Sequence, residues 1–301
     1  MPLNRRPPIF HIIYKIKLEF LITLGVALLT SLLTHKFYAD IPVMPIAIPT
    51  FLGTAISILL SFKISQSYDR WWEARKIWGS IVNESRSFTL QLQSFIAESN
   101  HKDIKQMAFR HIAWCFCLGQ SLRGLDPLKS LEKYISEDDL EEIKKHNNKP
   151  LALLQLNTLQ IAELKNNGKM DIYSQIQLNT TLVNFSNSMG MAERIKNTVF
   201  PVTYRIILHM AIYIFVVTLS IALGDINSFF EIPLLLVISS FFFLLDKVAK
   251  DLQDPFENKP TDTAMTTIAT NIEINIKQLL NETDIPQPYQ PDKFYSLLKK
   301  I

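Results

Sequence analysis

The chain of 301 residues is 48% hydrophobic, with a formal net charge of +3 and a positive mean hydropathy. So small a charge excess, without a basic block interleaved with aromatics away from the apolar segments, argues against nucleic acid as a partner. Two soluble domains would fit the length, but the apolar residues are gathered in four blocks, which makes membrane lipid the more economical partner.

At the amino end Arg5 and Arg6 precede HIIYKIKLEF, a Lys-interrupted stretch with no small-residue cleavage site, so residues 1–17 read as a retained cytosolic segment rather than a signal peptide. The apolar blocks cover residues 18–33, 43–62, 206–223 and 229–245. Each is about the length a helix needs to cross a ~30 Å hydrocarbon core at ~1.5 Å per residue. The first and last are short and span only if Tyr, His or Lys near their ends reach the interface. Pro45 and Pro49 start or bend the second. The linkers around 35–42 and 224–228 are short and carry one Lys and two Asp between them. By the excess of Lys and Arg elsewhere, the long middle segment and both termini lie on the cytosolic side.

The second block runs into SYDRWWEARKIWGS, residues 67–80, which holds three of the four tryptophans among Asp69, Arg70, Glu73, Arg75 and Lys76. Trp favours places where one end of the side chain is in an apolar medium and the other meets water. At helical spacing Trp71, Arg75 and Trp78 share a face, so Arg75 can lie over an indole while Arg70 pairs with Glu73. A soluble amphipathic helix with core tryptophans is the alternative, and the apolar run just before argues against it. The pattern is that of a helix leaving a bilayer without breaking.

Helical patterning continues over residues 69 to about 99 and over 103–123. Ser136, with Asp139 three residues on, caps a short helix, and Pro150 starts a longer one reaching about 166. Gly168 breaks the chain before a helix over 171–195. Beyond the fourth block, 246–254 stays helical, Pro255 and Pro260 punctuate, and 263–280 forms a last helix. No strand pattern of useful length competes and no 20–50-residue repeat is found, so the class is all-α.

Catalytic chemistry is missing from the pattern. His11, His35, His101, His111, His146 and His209 do not pair at ligand spacing, and neither a phosphate-cradling glycine loop nor a nucleophile elbow occurs. An enzyme, a cofactor and a metal site are therefore not expected. His209, just inside the third block near Arg205, is expected to snorkel to the interface. Cys115 and Cys117, two apart on a helix, point opposite ways and read as buried thiols.

The RWW triplet after the second block, four membrane helices split two and two around a helical cytosolic part, GMAERIKNTVFP (190–201) and DLQDPFEN (251–258) together resemble the bestrophin family, its bacterial branch in particular. Nearly the whole chain is covered, through DRWWEAR (69–75), Gly190, Glu193, Arg194 and Pro201. The resemblance implies a homopentameric channel of the inner membrane for passive flux of monovalent ions. In it the second helix of each subunit lines a narrow neck and the cytosolic helices enclose a vestibule with a lower aperture. Bacterial relatives are implied to favour cations such as Na+ and K+; a chloride or other anion channel of the same fold is the alternative. The implied organisation is a cytosolic segment 1–17, membrane helices 18–67 with the pore helix at 43–67, a cytosolic region 68–201, membrane helices 202–247 and a cytosolic segment 248–301.

Two stripes of the second helix compete for the pore: Thr54, Ile58 and Phe62, and next to them Ser57, Ser61 and Ser65. The family pattern has apolar side chains at the positions of Ile58 and Phe62, which implies the Thr54, Ile58, Phe62 neck, gating by dewetting, with the serines letting helices approach closely. Thr54 departs from the bulky apolar residue common there. The lower aperture falls on Ile172 or Tyr173 according to whether the count starts from RWW or from Pro201; Ile172 is preferred. Asp69, Arg70, Trp71, Trp72, Glu73 and Arg75 are implied to pack the neck base and subunit contacts. Eukaryotic relatives bind calcium through a dense acidic run, whereas here Asp246, Asp251, Asp254 and Glu257 are spread among Lys247 and Lys250 and read as a solvated face. The final helix also departs from the family, with TDTAM at its start. Acids such as Glu193 or Asp171 could supply the vestibule with a field. A membrane-anchored helical scaffold that does not conduct is the rival from another class. A secondary transporter is a third option, disfavoured by the lack of an inverted repeat.

Overall fold

The computed structural model describes residues 14–37, 44–198, 201–224, 228–259 and 262–288, and among these all regular structure is helical. In chain order the helices are α1 (Lys17–Lys36), α2 (Ala47–Phe95), α3 (His101–Leu122), α4 (Glu137–Lys144), α5 (Lys149–Asn166), α6 (Ile172–Asn197), α7 (Val202–Ala222), α8 (Ser228–Gln253) and α9 (Met265–Leu279). Arg5, Arg6 and His11, most of both short linkers, the start of the second block at 43, and Pro260 lie outside the described residues. The chain divides into two units, residues 1–70 with 199–254 and residues 71–198 with 255–301. The 49-residue helix α2 contributes its first part to one and the rest to the other.

In the first unit α1, α2, α7 and α8 are each long and apolar enough to cross a membrane. The chain buries only 22–33% of each apolar stretch, so most of these side chains face something other than this protein's own interior. Helix α2 starts just after Pro45 and holds Pro49 in its first turn, where the absent N–H loses no helical bond. The core joins Ile56 and Leu60 of α2 to Leu208, Ile212 and Phe215 of α7 and to Leu235 and Phe243 of α8. Gly53 is the point of close approach: a Cβ there would lie 3.1 Å from Cε2 of Phe215.

The second unit is a helical body around Trp78 and Phe88 of α2, Trp114 of α3 and Phe185 of α6, closed by Met265, Ala269 and Ile276 of α9. Local chemistry sets its helix ends. Ser136 Oγ accepts from Asp139 N at 3.2 Å, Asn148 Oδ1 from Leu151 N at 3.0 Å, and Asp171 Oδ1 from Tyr173 N at 2.8 Å, each relieving an orphan donor of a first turn. Gly124 (φ 68°) and Gly168 (φ 69°) take the left-handed conformation that closes α3 and α5. The six-residue bonds Leu125 N to Gln120 O and Lys169 N to Leu164 O complete those ends. The expected helices all form, with ends shifted by about a turn or less. Cys115 and Cys117 are buried free thiols, as their spacing implies.

Candidate functional site

The first part of α2 has one covered face and one open face. Ile56, Leu60, Lys63 and Ser67 are buried. Thr54, Ile58 and Phe62 lie about 170° round the helix axis from them, at the roughly 100° per residue of an α-helix, and all three are exposed, Ile58 at 53% and Phe62 at 63%. Ser57, Ser61 and Ser65 are exposed too, so burial leaves both stripes available for a pore. The hydroxyls on this side are partly spent on the helix itself: Thr54 Oγ1 donates to Thr50 O at 2.9 Å and Ser57 Oγ to Gly53 O at 2.8 Å. A hydroxyl that bonds back to its own helix offers less to water, so the open face is drier than its composition implies.

Polar bonds fix which way α2 is turned. Lys63 Nζ lies 2.5 Å from Asp246 Oδ1 on α8, and His209 Nε2 of α7 lies 2.9 Å from the other oxygen of the same carboxylate. Tyr204 donates its hydroxyl to the Leu59 carbonyl at 2.6 Å, and Arg70 Nε donates to the Gln253 carbonyl at 2.9 Å. Three helices thus meet on one buried carboxylate, which a membrane interior tolerates only when the charges are paired.

Two expectations are corrected here. Asp246 and Asp251 are not part of a solvated face: Asp246 is buried between Lys63 and His209, and Asp251 forms an ion pair with Lys15. His209, expected to reach outward to the interface, is instead turned to the Asp246 carboxylate, with Nε2 2.9 Å from Oδ2. Lys63 and Glu231 carry a signal of their own in the sequence, an ionisable residue at or within an apolar block, which motif and spacing do not pick out. Glu231, 1% exposed at the start of α8, accepts from Ser220 at 2.6 Å and from Ser31 at 3.1 Å.

Of the residues from 69 to 75, Asp69, Trp72 and Arg75 are exposed, while Arg70, Trp71 and Glu73 are half-buried. Trp71 and Trp72 lie ring to ring, tilted, with centroids 6.2 Å apart. Trp78 is fully buried in the second-unit core, so it does not share an open face with Arg75. Glu73 pairs with Lys76 at 2.6 Å, three residues on along the same helix.

Ile172 and Tyr173 open α6, with 48% and 81% of their surface exposed, so burial does not choose between them as the lower aperture. Beside them Asp171 is held below the usual carboxylate range, first by the Ser174 hydroxyl and then by the Ser174 and Tyr173 N–H groups. An anionic group therefore sits next to this spot at neutral pH. Glu193 accepts from Asn148 Nδ2 at 3.0 Å. Among the described residues no group of three His, Cys, Asp or Glu could hold a metal ion.

The family model for the bacterial/fungal bestrophin protein matches residues 10–278. The chain belongs to this bestrophin family. A bacterial bestrophin homologue from Klebsiella pneumoniae, known from its crystal structure, is 26% identical and superposes with a TM-score of 0.82 over 89% of this chain and 99% of its own. The voltage-dependent anion channel-forming protein YneE of Escherichia coli K12 is 31% identical over 287 residues, 94% of this chain and 91% of that protein. The voltage-dependent anion channel-forming protein RSc3414 of Ralstonia nicotianae is 26% identical over 259 residues, 85% of each chain. In this bestrophin the residues marked for the neck lie together on one exposed helix face, and those marked for the lower aperture lie at the exposed start of α6.

Proposed function

We propose that this bestrophin is an ion channel of the inner membrane in which five copies surround one pore. Each copy contributes α2, with Thr54, Ile58 and Phe62 forming the neck and Ile172 the lower aperture. Residues 18–67 and 202–247 hold the four spans, 68–201 and 248–301 the cytosolic parts, and both termini, including 1–17, are cytosolic. Asp69, Arg70, Trp71, Trp72, Glu73 and Arg75 pack below the neck, where copies meet.

The observation that carries this reading is the open apolar face of α2, set directly opposite a face locked by Lys63 and Asp246. A helix pinned on one side and bare on the other needs a further occupant. Rings of Ile58 and Phe62 around an axis would supply one and would control ions by dewetting.

Monovalent cations, Na+ and K+, are the favoured ions, in line with the resemblance to the bacterial branch and with the anionic Asp171 beside the lower aperture. A chloride channel of the same fold is the second reading, and the names of the Escherichia and Ralstonia relatives as anion channel-forming proteins favour it. The test is single-channel recording from reconstituted protein. Ile58→Ala is expected to raise conductance, and an unchanged conductance contradicts the neck assignment. Folded, reconstituted protein that passes no current would mark a membrane-anchored scaffold instead.

A further inference from the structure

Within the second unit a cavity of about 560 Å³ opens between α3, α9 and the turn that carries residues 125–134. That volume falls in the range of small-molecule sites, roughly 300–1,000 Å³. Its floor is apolar, with Met265 and Ala269 of α9 both buried. On one side the rings of Phe116 and Tyr134 lie nearly parallel, 8° apart with centroids at 5.6 Å, and Tyr134 is steadied by its hydroxyl bond to Glu273 at 2.9 Å. The cavity thus has a flat aromatic flank above an aliphatic base.

Its charged lining is one-sided. Among the described residues that line it, Arg123, Lys129 and Lys133 contribute three cationic side chains against the one carboxylate of Asp126. That carboxylate is engaged in its own turn, where Oδ1 accepts from Leu128 N at 3.0 Å. The guanidinium of Arg123 is oriented by its Nη1 bond to Thr266 at 2.7 Å. The turn itself is tied to α3 by Gln120 Nε2, which donates to the Lys129 carbonyl at 3.2 Å. Between the two lysines Ser130 takes a left-handed backbone, φ 63°, unusual for a residue other than glycine. Such conformations persist where the surrounding structure enforces them, and they gather at ligand sites.

We infer that this cavity binds a small organic anion with a flat apolar body, a carboxylate or sulfonate on an aromatic ring being the simplest form. The body lies over Met265 and Ala269 beside the Phe116 and Tyr134 rings, and the anionic group meets Arg123, Lys129 and Lys133. The cavity belongs to the second unit and the neck residues to the first, and binding in the cavity is measured without any need for conduction.

The test is equilibrium dialysis of 2-naphthoate against the purified full-length chain in detergent, at low salt. One site per chain is expected, weakened about tenfold or more by Lys129→Gln with Lys133→Gln, because charge-assisted contacts are lost. Ala269→Phe, which fills the floor, is expected to weaken it as much. The neutral 2-naphthamide is expected to bind about tenfold less tightly, and inorganic phosphate, which has no flat body, likewise. The lysine pair is exposed, so that variant decides the matter if the Ala269 variant fails to fold. Absence of binding, equal affinity for the amide or for phosphate, or affinity unchanged by the lysine substitutions would overturn the inference.

Discussion

Lys63 Nζ stands 2.5 Å from Asp246 Oδ1, although the two residues are 183 positions apart, and the side chains keep only 2% and 7% of their surface exposed. Removing the lysine takes away one of the two groups that compensate the buried Asp246 carboxylate, the other being the His209 imidazole at 2.9 Å. Lys63→Met is therefore expected to cost about 3–5 kcal/mol, and the double change Lys63→Met with Asp246→Leu to recover most of it. Unfolding in mixed detergent and SDS micelles measures both. A double variant no more stable than the single one would mean that the pair does not act as a unit.

Glu231 makes a second buried polar knot, built only from hydroxyl partners among the described residues. Ser220 and Ser31 donate to its two oxygens, and Thr30 donates to Ser220 at 2.9 Å. Glu231→Leu deprives both serines of that acceptor and is expected to destabilise by about 1–3 kcal/mol, with Glu231→Gln costing less. The same micelle titration ranks the two variants, and a Gln variant as unstable as the Leu one contradicts this account.

At Gly53 two effects oppose each other. Alanine gains about 0.5–1 kcal/mol of helix propensity, but its Cβ presses on Phe215 at 3.1 Å. Gly53→Ala is expected to stay within about 1 kcal/mol of the parent, because an aromatic edge can shift by tenths of an ångström, whereas Gly53→Leu overpacks the crossing by about 1–3 kcal/mol. Thermal inactivation of the two variants separates them. Equal losses would mean that the backbone approach, not the side chain, sets the limit.

Burial pushes the His111 imidazole down to about 3. Its Nε2 lies 2.8 Å from Ser85 Oγ, in a stack with Trp114 and near Phe185. The unfolded chain takes up this proton at about pH 6.5, so between there and about 3 it binds more protons than the folded chain does. Stability from this group is full above about pH 6.5 and falls by up to about 1.4 kcal/mol per pH unit below it. His111→Phe removes that slope. Denaturation of parent and variant at pH 6 and pH 4 is expected to give a smaller loss for the variant, and equal losses would contradict it.

Much of the fold could be read in the chain because its signals are local. Ser136, Pro150, Gly168 and Asp171 mark helix boundaries by backbone chemistry, and the apolar blocks announce α1, α2, α7 and α8 by length. The polar network is different in kind. Nothing near Lys63 indicates that Asp246 will meet it, and reading Asp246 with its neighbours as a solvated face followed from their spacing alone. Periodicity puts Trp78 on the side of Arg75, but its burial is decided by α3 and α6, which a helical wheel does not contain. The neck stripe came from family resemblance. Its position opposite the buried face is what the tertiary packing adds.

The most direct measurement for the channel itself is the reversal potential of purified protein in a planar bilayer, under a several-fold NaCl gradient with no other permeant ion. Current reversing near the sodium equilibrium potential is the predicted result, and reversal near the chloride potential would select the anion channel of the same fold. No current under any gradient, from protein shown to be folded and inserted, would contradict the central claim that this bestrophin conducts ions.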